Sequence, residues 1–368
     1  MEQQRLLDAA QRIHSSRELD ELLRRVLGMA VRELQALGAF LSSGTVEVGE
    51  RIPVYGKVPG NFAEWNQRGW RSGYSSAPAI GSGGEILAHL VVYRKESLSL
   101  EEHDFLEGLA LQVAVALRDA GHHQQLVEWE RVRFDLEAAR SIQRSLLPES
   151  MPPIDGYSLR FRFTPCYEVG GDYVDVIALP DGRLMLVVAD VAGKGLASAL
   201  ISMNFRAVCR AVCWSGLGLA EMASRLNMLH WLEGTEVQHR YVTAILVCLD
   251  ARAHTLEAVN AGHCPAFLCR DGEKTKISAS GPPIGLLPDR RYEKESFSLP
   301  AGSQLLLYTD GLTEVFRGGV EFGEDRLMGL IASTSSVDLL DEIWDAVDVF
   351  GGEHGQSDDR TALHLQRL

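Results

Sequence analysis

Two apolar runs in the second half of the chain end on an aspartate. That pattern limits the fold more than any other feature. Leu184-Met185-Leu186-Val187-Val188-Ala189 leads into Asp190, and Leu305-Leu306-Leu307-Tyr308-Thr309 leads into Asp310 and Gly311. Asp172 follows Val169-Gly170-Gly171, and Asp358 and Asp359 precede the alternating stretch Thr361-Ala362-Leu363-His364-Leu365. Short apolar runs bounded by turn residues read as buried strands. A carboxylate where such a strand meets a Gly-rich turn is costly to desolvate unless something pairs with it. Recurrence of this device in one half of the chain predicts a cation site built from oxygen ligands.

The surrounding pattern places these acids in a sheet protein. After Pro153, strands are predicted over 157–163, 174–179 and 184–189, with Asp181-Gly182 turning between the last two. Helices follow over 196–213 and 219–232, then strands over 241–249, 255–259, 266–269 and 304–308. Late helices near 326–332 and 337–349 precede a last strand over 361–365. Hairpin-like connections imply antiparallel pairing, and helix pairs alternating with strand groups imply two stacked sheets with helices outside.

The first half reads differently. Leu19, Leu22, Leu23, Val26, Leu27, Ala30, Val31 and Leu34 keep helical spacing, and strands are expected from Ala39 and over 86–93. The stretch 44–84 is rich in Gly, Ser and Pro and holds Trp65 and Trp70. Ser99 is placed to cap a closing helix with Glu101 and Glu102 in its first turn. Residues 122–147 are charged, helical and free of Gly and Pro, with Trp129, Val132, Leu136, Ala139, Gln143 and Leu146 at heptad-like spacing. That seam fits a parallel helical pair between two copies of the chain, or a single helix packed on a neighbouring domain. Pro148, Pro152 and Pro153 stop it. The fold class expected is α+β: an α/β sensor domain (1–121), a coiled-coil-like helix (122–150) and an αββα sandwich (151–368).

Composition narrows the partners. Lys+Arg number 36 against 50 Asp+Glu, for a net charge of −14, which disfavours nucleic acid as a partner. No uninterrupted apolar run approaches a membrane span, and the polar N-terminus does not read as a signal peptide. No membrane association is therefore expected, and a cytoplasmic location is. The 6 cysteines form no Cys-x-x-Cys pair; Cys209 and Cys213, four apart, read as small buried hydrophobes. Lone acids also have a plainer role as turn formers and caps. In a strand, residues 172 and 175 point to opposite faces, so Asp175 is assigned a structural role. The same parity lets only one of Asp358 and Asp359 face a shared site. Lys194, between Gly193 and Gly195, is expected to face solvent, and His263 to make a structural hydrogen bond.

No His or Cys lies in the four acidic motifs, so Mg²⁺ or Mn²⁺ suits them better than Zn²⁺. Two such ions can bridge a water, lower its pKa and aim the hydroxide at phosphorus. Gly170-Gly171 and Gly193-Lys194-Gly195 would let backbone approach an ion or phosphate closely.

Six motifs then occur in a familiar order: Glu168-Val169-Gly170-Gly171-Asp172-Tyr173, Asp190-Val191-Ala192-Gly193-Lys194-Gly195, Ala261-Gly262-His263-Cys264-Pro265, Gly281-Pro282-Pro283-Ile284-Gly285-Leu286, Tyr308-Thr309-Asp310-Gly311-Leu312-Thr313-Glu314 and Asp358-Asp359-Arg360-Thr361. Over residues 150–368 the chain resembles the bacterial SpoIIE/RsbU branch of the PPM (type 2C) serine/threonine phosphatases. The resemblance implies that Asp190 bridges two Mn²⁺ or Mg²⁺ ions with the Val191 carbonyl beside it. It implies Asp310 and Asp358 on the second ion and Asp172 on the first, with Asp190 and Asp172 the catalytic acids. Asp358 is preferred to Asp359 because the family ligand is the first of that pair. The phosphate-binding Arg and general-acid His of eukaryotic members have no match here.

Residues 15–120 resemble a GAF sensor, on Ser15-Ser16-Arg17-Glu18-Leu19-Asp20-Glu21-Leu22-Leu23 and the closing helix over 98–120. Ala138-Ala139-Arg140-Ser141-Ile142-Gln143-Arg144-Ser145-Leu146-Leu147-Pro148 resembles the helix that couples sensor to active site in such phosphatases. The function expected is a GAF-regulated phosphoserine/phosphothreonine phosphatase. Its expected partners are a phosphorylated STAS-type anti-sigma-factor antagonist or other phosphoprotein, and a second copy bound through 122–147. The alternatives are a non-catalytic pseudophosphatase that holds a phosphorylated partner, and a phosphodiesterase or nuclease using the same ions.

Overall fold

A computed structural model describes residues 19–43, 54–58, 73–148, 151–234, 237, 239–270, 273–333, 338–352 and 356–368. Residues 15–18 of the sensor motif, Trp65 and Trp70 lie outside these. The chain divides into two compact units, Met1–Arg133 and Phe134–Leu368.

In the first unit a helix over 19–33 (α1) turns Leu23, Val26, Leu27 and Ala30 inward. They meet an antiparallel sheet of β1 (Gly38–Ser43), β2 (Val54–Gly56), β3 (Tyr74–Ile80) and β4 (Ile86–Tyr93), ordered β2-β1-β4-β3. Helix α2 (Leu100–Leu146) starts at a capping box. The Glu102 N–H donates to Ser99 Oγ (3.2 Å), and the Ser99 N–H donates to Glu102 Oε2 (2.8 Å). Leu106, Leu109, Ala110 and Val113 supply its buried face.

One correction concerns α2. The closing helix and the helix beyond residue 121 were expected as separate elements, but they are one helix of 47 residues. Gly108 and Gly121 lie inside it without breaking it, since an interior glycine costs only about 1 kcal/mol relative to alanine.

The second unit is an αββα sandwich. Its strands are β5 (Tyr157–Thr164), β6 (Tyr173–Ala178), β7 (Leu184–Val191), β8 (Val242–Asp250), β9 (Thr255–Ala261), β10 (Ala266–Arg270), β11 (Glu273–Ile277), β12 (Glu295–Ser298), β13 (Gln304–Tyr308), the small pair β14 (Phe316–Arg317) and β15 (Val320–Glu321), and β16 (Arg360–Arg367). One five-stranded sheet runs β12-β9-β8-β7-β6 and the other β11-β10-β13-β16-β5. Their pairings are antiparallel throughout. The polar strands β11 and β12 escaped the sequence reading because Glu273-Lys274-Thr275-Lys276 and Glu295-Ser296 carry no apolar run.

Alternation within strands builds the layers. Leu186 and Val188 point between the sheets toward Leu305, Leu307 and Leu363. Val187 and Ala189 point outward, under α3 (Leu196–Cys213) and α4 (Leu219–Leu232). On the far side, Leu306, Tyr308 and Ala362 pack against α5 (Gly323–Ser333) and α6 (Leu339–Gly351). Among the described residues α3 is the one helix long and apolar enough to cross a membrane. Here it lies on the sheet, burying Ala199, Phe205, Cys209 and Val212.

Candidate active site

The same alternation brings the acids together. Asp172 shares the parity of Val174, and Asp190 that of Val188, so both stand at the mouth of the space between the sheets. Thr309 and Thr361 extend the inward rows of β13 and β16 from the opposite sheet. Their hydroxyls donate to Asp172 Oδ2, at 2.8 and 2.5 Å. Asp310 opens a short 3₁₀ turn directly after β13, and Asp358 and Asp359 lead into β16.

Asp190 pairs with Asp172 and feels the charges of Asp310, Asp358 and Asp359. Burial first, and then those charges, push its carboxyl up to about 8. Burial, followed by Glu314 and Asp358, raises Asp310 to about 6. Asp172 is 2% exposed. Burial and its neighbours Asp190 and Asp359 raise it well above the usual carboxylate range, against the two threonine hydrogen bonds. Sharing a desolvated site raises carboxylates in this way. Among the described residues no three acids already stand in coordinating geometry.

Asp358 and Asp359 have different partners, and both bear on Asp190. Asp359 is the more buried, and its oxygens accept the backbone N–H groups of Cys166 (2.8 Å) and Gly171 (2.6 Å). It therefore holds the loop that carries Asp172. The Asp358 carboxylate accepts the Asp359 N–H through Oδ1 (2.9 Å) and faces Lys194 through Oδ2. Lys194 is thus not simply solvent-facing: its ammonium lies 2.8 Å from Asp358 and donates to the Ser357 carbonyl at 2.6 Å.

Glycine is required where chain segments cross. A Cβ on Gly171 would lie 3.2 Å from the Val191 carbonyl oxygen and 3.1 Å from Ser198 Cβ. A Cβ on Gly311 would fall 1.9 Å from the Asp359 carbonyl oxygen and 3.3 Å from the Asp358 carbonyl carbon. Gly311→Ala must therefore push Asp310 away from the 358–359 segment. We expect a loss of about 2 kcal/mol, read as a lower melting temperature of the full chain. An unchanged melt would show that the two segments separate freely.

Asp175 points the other way, toward α3, where Arg210 and Tyr173 hold it. His263 is buried, and burial lowers it to about 4, so it is neutral. Its Nδ1 lies 2.9 Å from the Thr243 hydroxyl, which also reaches the Asp190 carbonyl at 3.4 Å.

The sequence reading missed Thr309, Thr361, the Lys194–Asp358 pair and, above all, Gln143. Gln143 lies in the last turns of α2. It is buried, its Nε2 donates to the Gly170 carbonyl (2.7 Å), and its Oε1 accepts the Gly170 N–H (3.1 Å). The last turns of α2 are thereby tied to the glycine pair preceding Asp172. Arg206 Nε of α3 donates to the Leu146 carbonyl at 3.1 Å. The only signal available in sequence was a polar residue at an otherwise apolar heptad position.

Residues 180–368 match the family model of Stage II sporulation protein E, SpoIIE. The chain belongs to the SpoIIE family. Protein IcfG of Synechocystis sp. is 27% identical over 64% of this chain and 42% of its own length. Phosphoserine phosphatase RsbP of Bacillus subtilis is 32% identical over 49% of this chain and 45% of its own. The chain thus spans less than half the length of these two relatives. The SiaA-PP2C domain of Pseudomonas aeruginosa superposes with a TM-score of 0.57 over 65% of this chain and 98% of that domain, at 22% identity. The second unit therefore has the PP2C fold.

Proposed function

We propose that this SpoIIE-family chain is a metal-dependent phosphatase of phosphoserine or phosphothreonine in proteins. The observation that carries the reading is the convergence of Asp172, Asp190, Asp310 and Asp358 at one end of the sandwich, where burial and mutual repulsion raise Asp172, Asp190 and Asp310. The name of RsbP, a phosphoserine phosphatase, supports the reaction.

All the donors are oxygens, which suits two Mn²⁺ or Mg²⁺ ions. Asp190 would serve both ions and the Val191 carbonyl would add a ligand, with Asp310 and Asp358 on the second ion and Asp172 on the first, directly or through water. Such ions supply a lowered water pKa and neutralise phosphoryl charge. The chain's own contribution is to anchor individual donors. Thr309 and Thr361 fix the Asp172 carboxyl, and Asp359 fixes the Gly171 backbone.

The substrate we propose is a phosphorylated STAS-type antagonist of an anti-sigma factor, met in the cytoplasm. The first unit would act as a GAF-like sensor. The Gln143 clamp on Gly170 supports a coupling role for the end of α2. Leu126, Trp129 (73% exposed) and Val132 are exposed on the same helix, which supports a parallel pair with a second copy.

The purified chain with Mn²⁺ should release phosphate from a phosphoserine STAS protein, stop in EDTA and recover when Mn²⁺ is restored. If neither a phosphoprotein nor an aryl phosphate is hydrolysed in a Mn²⁺-dependent way, this function is excluded.

A further inference from the structure

We propose that Lys194 exchanges between Asp358 and the substrate phosphate: it neutralises Asp358 when no divalent ion is bound and grips a phosphoryl oxygen when one is. The inference rests on the metal-dependent reading above and supplies the anion-binding residue that the sequence motifs leave unmatched.

Among the described residues, Lys194 is the cation in ion-pair contact with the acid cluster, 2.8 Å from Asp358 Oδ2. Its side chain is 46% exposed, so it can move without leaving a buried charge behind. Its ammonium meets Asp358 and the Ser357 carbonyl, and its backbone root sits in a fixed turn. Gly193 (φ +103°) and Gly195 (φ +77°) set a left-handed turn on either side. Arg240 closes over that turn, since a Cβ on Gly193 would lie 2.3 Å from Arg240 Nη1. Arg240 Nη1 also donates to the Ala192 carbonyl at 3.4 Å, and α3 begins immediately afterwards at Leu196. A four-carbon stem with a compact ammonium can swing from such an anchor.

Charge decides where it goes. Asp358 Oδ1 accepts the Asp359 N–H, so Oδ2, the oxygen Lys194 holds, is the less engaged of the two for an incoming ion. An ion on Asp358 weakens the ion pair, leaving the ammonium its hydrogen bond to the Ser357 carbonyl, and adds like-charge repulsion. A dianionic phosphate at the ions then becomes the nearest strong acceptor for the ammonium.

The test uses the full chain, with Mn²⁺ binding followed by electron paramagnetic resonance and inorganic phosphate as the anion probe. Lys194→Met should bind Mn²⁺ more tightly in the absence of phosphate, by up to about fivefold, the usual worth of a solvent-accessible pair. With Mn²⁺ bound, its affinity for phosphate should fall about tenfold, and Lys194→Arg should restore most of it. Circular dichroism checks that each variant is folded. If the native chain binds Mn²⁺ but Lys194→Met binds it no more tightly, or keeps native phosphate affinity, the exchange is overturned and the metal reading stands. If the native chain binds no Mn²⁺, both fall.

Discussion

Asp190→Asn and Asp310→Asn are each expected to lower Mn²⁺-dependent phosphate release by about a thousandfold or more, since an ion that activates water and neutralises the phosphoryl group is worth several kcal/mol. Asparagine keeps the shape of the side chain and removes its charge, so the loss reads the ion rather than the packing. The fold should not suffer. Asp190 is raised to about 8 by burial and by Asp310, Asp358 and Asp359. A carboxyl raised in this way favours the folded state at low pH and loses that contribution as pH rises through about 8. In EDTA at pH 8, Asp190→Asn should therefore melt no lower than the native protein, while losing the stabilisation that Mn²⁺ gives it. Native turnover in both variants would remove these acids from the site, and a collapsed melt in EDTA would make Asp190 a structural residue.

Asp175→Asn should cost about 3 kcal/mol, the usual penalty for breaking a buried ion pair from one side. Asp175 is 0% exposed. It accepts the Tyr173 hydroxyl (2.6 Å), Arg210 Nε (2.6 Å) and Nη2 (2.7 Å), and the Val176 N–H (2.9 Å). An asparagine there keeps one acceptor oxygen and turns an NH₂ group toward donors. In a domain of this size the loss corresponds to a fall of roughly 10 °C in melting temperature. Arg210→Lys should show part of it, because a single ammonium cannot reproduce the two-pronged contact. A loss below about 1 kcal/mol on urea titration would mean that Arg210, whose side chain is 42% exposed, is satisfied by water.

Asp172 and Asp175 lie three residues apart and face opposite sides of one sheet. Asp172 faces between the sheets and Asp175 faces α3. Strand parity alone separates them, so this part of the site was legible without coordinates. The same is true of Asp190 and Asp310, which close apolar runs that can only be interior strands. The long helix was harder to read, because its two halves carry different patterns, a buried apolar face before residue 121 and a charged, exposed stretch after it.

What the sequence determined by itself was local and periodic: the strands, the helix pairs that cover them, and the acids at the strand ends. Only the tertiary structure decided how those acids are held. Asp359 reaches Cys166 and Gly171 across 193 and 188 positions, and Thr361 reaches Asp172 across 189. Gln143 clamps Gly170 from 27 positions away. Hydrogen bonds of that span leave no periodicity in the chain, because each depends on where two separate segments come to rest. Composition and spacing therefore pointed to the four acids at the site, while the folded chain assigned Asp359, Thr309, Thr361, Gln143 and Lys194 their places around them.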